Sequence, residues 1–359
     1  MLATFILGIF AVLFAYLTKY SDVKWGLKAS FSFIFIFLAL RYNFGNDYNA
    51  YLDGFVEITK YDTFSFDEIY GNFELGWIIL CKLFRPLGFF AFVATLALFN
   101  CIVYYKLIEK FVPQEYYWLA VFLYIFSPDF MLIHSSAMRQ SFTIALFIVA
   151  LNYLNGLHVH AFRYFVIVIF ASFFHTSSLI LIPVYFINKV DLKINRNYAV
   201  IIFSAYISLF VFAKILLPYI DQFIFSYFAK YSYYVGSTEI GTGYGLFVTS
   251  FLFLMVLLKQ GIQRDESKLI FNLAIIGFFF IPIGIVLTMI GRAGMYFQIM
   301  TIVVYPIMIY YIKSPIFRSF TITILIMINI YRFFQFFSSD VYKEAFETYQ
   351  TIISAPYYF

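Results

Sequence analysis

The sequence predicts an all-α, polytopic integral membrane protein, and three observations carry that prediction. Hydrophobic residues make up 63% of the 359 and charged residues only 12%, a balance that no soluble domain keeps. Apolar runs of near-bilayer length recur from end to end, separated by short loops that hold most of the Lys and Arg, as crossings of ~20 residues joined by interhelical loops require. Aromatic residues are abundant, with 51 Phe and 32 Tyr, and tyrosine suits the belts at membrane–water boundaries. The formal charge of +5 is small beside that content and scattered over short loops, which argues against a nucleic-acid partner. Cys81 and Cys101 lie in apolar sequence without a CxxC or His-rich neighbourhood. They read as packing residues, not as a disulfide framework or a metal site.

Taken in order, residues 2–17 lack the basic leader and small-residue cleavage site of a secretory signal and are followed by Lys19, Lys24 and Lys28; they are expected to form a retained first crossing with the N-terminus outside. Residues 26–40 form a second, short crossing. The polar stretch 41–76 holds Asp47, Asp53, Glu57, Asp62, Asp67, Glu68 and Glu74 against only Arg41 and Lys60, so it is expected to be a large extracytoplasmic loop. Residues 75–84 are apolar apart from Lys82 and stop at Arg85-Pro86, too short to cross, and suit an interfacial or re-entrant helix. Crossings are expected at 87–107, 117–133 and 140–154, which puts Lys106 and Lys110 inside and Arg139 outside. Residues 162–187 carry His175-Thr176-Ser177-Ser178 at their middle and are followed by Lys189, Lys193 and Arg196. A single crossing would send those cations outside, whereas a hairpin of two half-helices returns them to the cytoplasm, and the hairpin is preferred. Crossings at 198–217, 246–258, 269–290, 293–312 and 319–337 complete about ten plus the hairpin, in a single polytopic domain over 1–359. The loop 218–245 and the tail from 338 then lie outside, as do both termini. The loop ends in a Gly-rich run from Gly236 to Gly245, able to cover a site.

With that topology, Arg41, Asp47, Arg139, His175 and Arg292 all fall at or near one face, most of them at the edge of an apolar run. Arginine suits a diphosphate, because its planar fork donates paired hydrogen bonds and stays charged near a membrane. Arg139, in His134-Ser135-Ser136-Ala137-Met138-Arg139-Gln140 between two spans, is the one best set to receive an anionic ligand, with Gln140 beside it. Arg41 ends a short span, and Arg292 lies in Gly291-Arg292-Ala293-Gly294, read as a break between spans; snorkelling to the interface fits both as well as binding does. Arg332 and Lys214 fit snorkelling or a structural part better than catalysis. His175 can exchange a proton near neutral pH, or simply hydrogen-bond a neighbouring serine. Asp47, after Gly45 and Asn46 in a turn-like stretch, is the carboxylate best placed to take a proton from a hydroxyl. Tyr48, Tyr51 and Tyr244, with Tyr227, Tyr231, Tyr233 and Tyr234 nearby, could stack on sugar faces or serve as interfacial belt. There is no P-loop, GxSxG, HExxH or DxD pair, which leaves a nucleotide-driven pump and a zinc hydrolase without support.

These residues together resemble the EpsG-like branch of Wzy-type polysaccharide polymerases. The resemblance rests on Arg41-Tyr42-Asn43-Phe44-Gly45-Asn46-Asp47-Tyr48 with Tyr51 and Phe55, then Glu74-Leu75-Gly76, Met138-Arg139-Gln140, Phe174-His175-Thr176-Ser177-Ser178, Gly241-Thr242-Gly243 and Gly291-Arg292, in the family's order. Asn46 departs from the other small residue often found before the aspartate. The resemblance implies an enzyme at the outer face of the bacterial inner membrane that joins undecaprenyl-diphosphate-linked repeat units into a surface polysaccharide. It further implies that Arg139 and Arg292 hold the diphosphate, that Arg41 and Asp47 lie at the sugar-transfer centre, and that His175 supports it. Implied partners are the lipid-linked glycan, membrane lipid, and a chain-length regulator and flippase of the same pathway. No cofactor or metal is required, although magnesium on the diphosphate stays open. An O-antigen-type ligase and a glycan flippase or exporter are the alternative readings, and a membrane acyltransferase decorating glycans is a more distant one.

Overall fold

In the computed structural model the described residues are 1–20, 23–60, 73–154, 159–189, 194–227, 244–259, 265–286 and 288–354. They form two compact units, one of Met1–Ile182 with Leu325–Phe359 and one of Pro183–Ile324. The first contains α1 (Leu2–Leu17), α2 (Gly26–Leu40), β1 (Arg41–Tyr42), α3 (Tyr48–Lys60), α4 (Leu75–Phe84), α5 (Gly88–Phe111), α6 (Tyr117–Phe126), α7 (Met131–Ser136), α8 (Met138–Leu151) and α9 (Ala161–Ser172). The second contains α10 (Val184–Lys189), α11 (Arg196–Tyr227), α12 (Tyr244–Lys259), α13 (Asp265–Val286), α14 (Thr288–Gln298) and α15 (Thr301–Tyr310). Helix α16 (Pro315–Ser338) begins in the second unit and ends in the first, followed by α17 (Asp340–Phe346) and β2 (Gln350–Thr351). Apart from the two-residue strands, which pair antiparallel with Arg41 opposite Thr351, the described chain is helical.

In the first unit α5 packs between α2 and α8 and also meets α3 and α4, while α1 packs on α2 and α6. Contacts divide this unit into two ends. At one, the Met1 ammonium donates to the carbonyls of Phe346 and Glu347 at 3.3 and 3.0 Å, the Gly45 N–H donates to Ala345 O at 3.0 Å, and the Tyr349 hydroxyl donates to Phe37 O at 2.6 Å. At the other, Gln114 Nε2 donates to Thr18 O at 2.5 Å and Lys110 Nζ to Asn152 Oδ1 at 2.8 Å. In the second unit α13 packs on α11 and α14.

Several expected boundaries hold to the residue, including α1, α2 and α4. The apolar helices are of two lengths. Among the described residues four stretches are long and apolar enough to cross a bilayer, Gly88–Phe111, Arg196–Ala213, Ser267–Gly284 and Pro315–Ser338, and a fifth arises if Gly291–Gln298 and Thr301–Tyr310, bent by 43°, count as one. The remaining apolar helices have 10–17 residues, α1, α2, α4, α8, α9 and part of α12 among them, shorter than the ~20 residues of a typical crossing. The expected crossing 117–133 is broken at Ser127-Pro128-Asp129 into α6 and α7, because proline withholds a helical hydrogen bond and clashes with the preceding turn. The expected break at Gly291-Arg292 lies instead inside α14, and the loop expected from 218 is helical up to Tyr227. The stretch 41–76 is no plain loop either, since α3 occupies its middle. That helix forms because Tyr48, Tyr51, Phe55 and Ile58 recur on one helical face, and all four are buried. Residues 162–182 do fold back, as the Tyr164 hydroxyl near the start of α9 donates to Leu181 O at 2.5 Å; the return limb is the 3-10 turn Thr176–Leu181, not a half-helix.

Candidate functional site

The end of the first unit that holds the N-terminal ammonium also gathers four of the sequence segments singled out above. The turn 41–48 is bent by Asn43 and Gly45, at φ of 46° and 122°, and a side chain at Gly45 would lie 3.1 Å from the Ser136 Cα. That close approach lets the Asp47 N–H donate to Ser136 Oγ at 3.1 Å, joining the turn to the segment that ends in Arg139. The second junction is at Gly76, whose N–H donates to Phe173 O at 2.8 Å and where an added Cβ would meet that same oxygen at 2.7 Å. It brings the start of α4 against the end of α9.

Between these junctions lies a polar cluster with Glu74 at its centre. Arg139 Nη1 donates to Glu74 Oε2 at 2.5 Å. The other carboxylate oxygen, Oε1, is 3.2 Å from His175 Nδ1 and accepts the Thr176 N–H at 3.2 Å. Burial alone would raise the pKa of Glu74, but the His175 hydrogen bond, the Arg139 charge and backbone N–H groups outweigh it and hold the carboxyl down to about 2. The side chains of Arg139, Glu74 and His175 are 22, 20 and 27% exposed, so solvent and a ligand can reach them. Beneath them, the Arg139 guanidinium lies 4.9 Å from the Phe73 ring centroid and 5.9 Å from that of Tyr51. The Arg139 N–H points to the Tyr51 hydroxyl at 3.4 Å. Tyr51 and Trp77 then continue into an apolar cluster with Phe55, Cys81, Phe89 and Phe92, a floor that limits how the guanidinium can turn.

The expected residues are distributed as follows. Arg139 and His175 meet through Glu74, which sequence reasoning did not assign to the site although Glu74-Leu75-Gly76 was among its motifs. Asp47 is exposed at the head of α3. Arg41 is only 4% exposed, with Nη1 donating to Leu38 O at 2.6 Å and Nη2 to Ser135 O at 3.2 Å. Gln140 is buried. Tyr48 is fully buried and donates its hydroxyl to Arg41 O at 3.1 Å, while Tyr51 is nearly so, which commits both rings to packing. Arg292 is exposed on α14 of the second unit. Tyr244 opens α12, also in the second unit, and its side chain lies outside the described residues, as do Asp62, Asp67, Glu68, Tyr231, Tyr233, Tyr234 and the run 236–243. Arg332 pairs with Asp129 at 2.7 Å, consistent with a structural part. Cys81 and Cys101 are buried thiols, as packing residues should be.

The cluster thus offers a guanidinium for an anion and an imidazole whose Nδ1 is tied to a carboxylate, leaving Nε2 for proton exchange. No curated protein and no solved structure matches the chain. A family model does: that of the EpsG family, over residues 24–351.

Proposed function

The chain belongs to the EpsG family, linked to exopolysaccharide biosynthesis, and on that premise we propose that it is a polymerase joining undecaprenyl-diphosphate-linked repeat units at the outer face of the bacterial inner membrane. The observation that carries this reading is the Arg139–Glu74–His175 cluster, in which side chains 65 and 101 positions beyond Glu74 in sequence share its carboxylate.

The donor is the growing glycan on its lipid diphosphate, and the acceptor is a sugar hydroxyl of a single lipid-linked unit. A bond forms between that hydroxyl oxygen and the donor's anomeric carbon as the bond from carbon to diphosphate oxygen breaks. The hydroxyl proton passes to a base, and undecaprenyl diphosphate departs. Arg139 stabilises the charge that grows on the departing diphosphate, an interaction stronger in the transition state than before it. Glu74 holds the guanidinium in place from one side and fixes the His175 ring from the other, which leaves Nε2 to act as the base. A carboxylate that orients an imidazole in this way is a recurrent device in proton transfer. Asp47, exposed on the adjoining turn, is the other base in reach of this end. The roles expected for Arg292 and Gln140 at the diphosphate and for Tyr244 at the sugar rest on the sequence alone. Arg41 acts from beneath, bracing the turn that bears Asp47.

The test is polymerisation by the purified full-length protein supplied with lipid-linked repeat units. Longer lipid-linked chains and released undecaprenyl diphosphate are expected in equal number of events. Arg139→Lys should lower the rate roughly 10-fold or more, since an ammonium lacks the paired donors. Wild-type chain lengths and rate from the lysine variant would reduce Arg139 to a point charge and remove the fork from the account.

A further inference from the structure

Beneath the turn that carries Asp47, the first unit holds a small pocket with a mixed polar and apolar lining and about 20 Å³ open to the centre of a water molecule. Its polar lining comes from Arg41, Asn100, Tyr124, His134, Ser135 and Ser141. Three buried atoms of these lining residues, Arg41 Nε, Asn100 Oδ1 and His134 Nε2, have no hydrogen-bond partner among the described residues. Arg41 and His134 are each 4% exposed, so bulk solvent does not serve them. The other polar atoms of the three side chains are engaged. Arg41 donates to Leu38 O and Ser135 O, Asn100 Nδ2 donates to Ser141 Oγ at 2.9 Å, and His134 Nδ1 lies 3.2 Å from the Tyr104 hydroxyl.

What is left over has a definite chemistry. Arg41 Nε–H can only donate and Asn100 Oδ1 can only accept, while His134 Nε2 accepts when the ring proton sits on Nδ1 toward Tyr104. We propose that the cavity is a built hydration site for one ordered water, which accepts from Arg41 Nε–H and donates to Asn100 Oδ1 and His134 Nε2. Three partners are what a buried water typically makes, and the space suffices for about one such molecule. A halide could balance the Arg41 charge, which burial lowers only to a pKa of about 10, but it would face the lone pairs of Asn100 Oδ1. The water joins β1 to α5 and α7, and so fixes the turn bearing Asp47 against the Ser135-Ser136 segment. This site stands whether or not the polymerase reading does.

A structure of the full-length protein at about 2 Å, determined once in chloride and once in bromide, tests it. One density peak within about 2.7–3.2 Å of all three atoms, with no anomalous signal in bromide, is the expected result. An empty cavity, or a bromide peak at that position, would overturn the proposal. A second readout is the sign of a stability change. Leucine at a dry cavity would fill space and stabilise, whereas at a hydrated one it strands Arg41 and His134. Asn100→Leu should therefore melt at least about 2 °C below Ser141→Ala, the variant that removes only the direct Asn100 bond. An Asn100→Leu midpoint at or above that of Ser141→Ala contradicts the water.

Discussion

Glu74 commits both carboxylate oxygens to basic neighbours, which makes it the most informative single residue to change. Glu74→Gln keeps the shape and removes the charge. Polymerisation is expected to fall roughly 10- to 100-fold, equivalent to about 1.4–2.7 kcal/mol of lost transition-state stabilisation, measured as repeat units joined per minute by the purified protein. The same residue gives a signed pH prediction. A carboxyl whose pKa drops on folding adds stability above its unfolded value and loses it as pH falls through its folded value. For Glu74 the two values are 4.5 and about 2. The melting difference between wild type and Glu74→Gln should thus be flat above about pH 5.5 and shrink below about pH 4.5; a difference that widens on acidification contradicts the ion pair. Sequence alone pointed to Arg139 and His175 because a guanidinium and an imidazole are rare at the edges of apolar runs. It missed Glu74 because seven acids share the stretch 41–76, and nothing local separates one that pairs from those that keep the stretch solvated.

At the scale of elements, the site depends on close backbone approaches. Gly76→Ala would press a methyl group to 2.7 Å from the Phe173 oxygen, a contact that must shift α4 or α9. A cost of about 1–3 kcal/mol is expected, read as a lower melting midpoint, together with loss of polymer because the same shift separates Glu74 from His175. Retained polymer at wild-type length despite a lowered midpoint would separate the junction from the site. Arg332→Ala offers the contrast. Its pair with Asp129 is roughly two-fifths exposed on both sides, so its removal should cost only about 0–1 kcal/mol. Helix starts and stops such as α1, α2 and α4 were legible because apolar runs end there at Lys, Arg or Asp-rich sequence. The break between α6 and α7 was not, since Ser127-Pro128-Asp129 is brief and the apolar average carries across it. Proline misled in the opposite direction at 218, where one missing hydrogen bond leaves a long apolar helix intact.

For the whole molecule, several long apolar helices were plain in the sequence, whereas the places where a span is broken into short helices were not, because hydrophobic content carries across the break. Contacts within the first unit put the N-terminal ammonium, the turn 41–48 and β2 at one end. Thr18 and Gln114 meet at the other, which also bears Lys19, Lys24, Lys110 and Arg163. By the excess of Lys and Arg on cytoplasmic loops, the Thr18 end is predicted to face the cytoplasm and the cluster to face outward. A membrane-impermeant thiol reagent should therefore label Asn49→Cys in intact cells and Glu115→Cys only after lysis, both positions being exposed and the native thiols buried; the reverse pattern inverts the orientation. The central claim, that the Arg139–Glu74–His175 cluster polymerises lipid-linked repeat units, is tested most directly by the size distribution of lipid-linked glycans in cells lacking this chain and complemented with wild type, Arg139→Ala or Glu74→Gln. The account predicts single lipid-linked units accumulating on the outer face, relieved only by wild type. Long lipid-linked chains would indicate a ligase, units held on the inner face a flippase, and full relief by either variant would contradict the role given to the cluster.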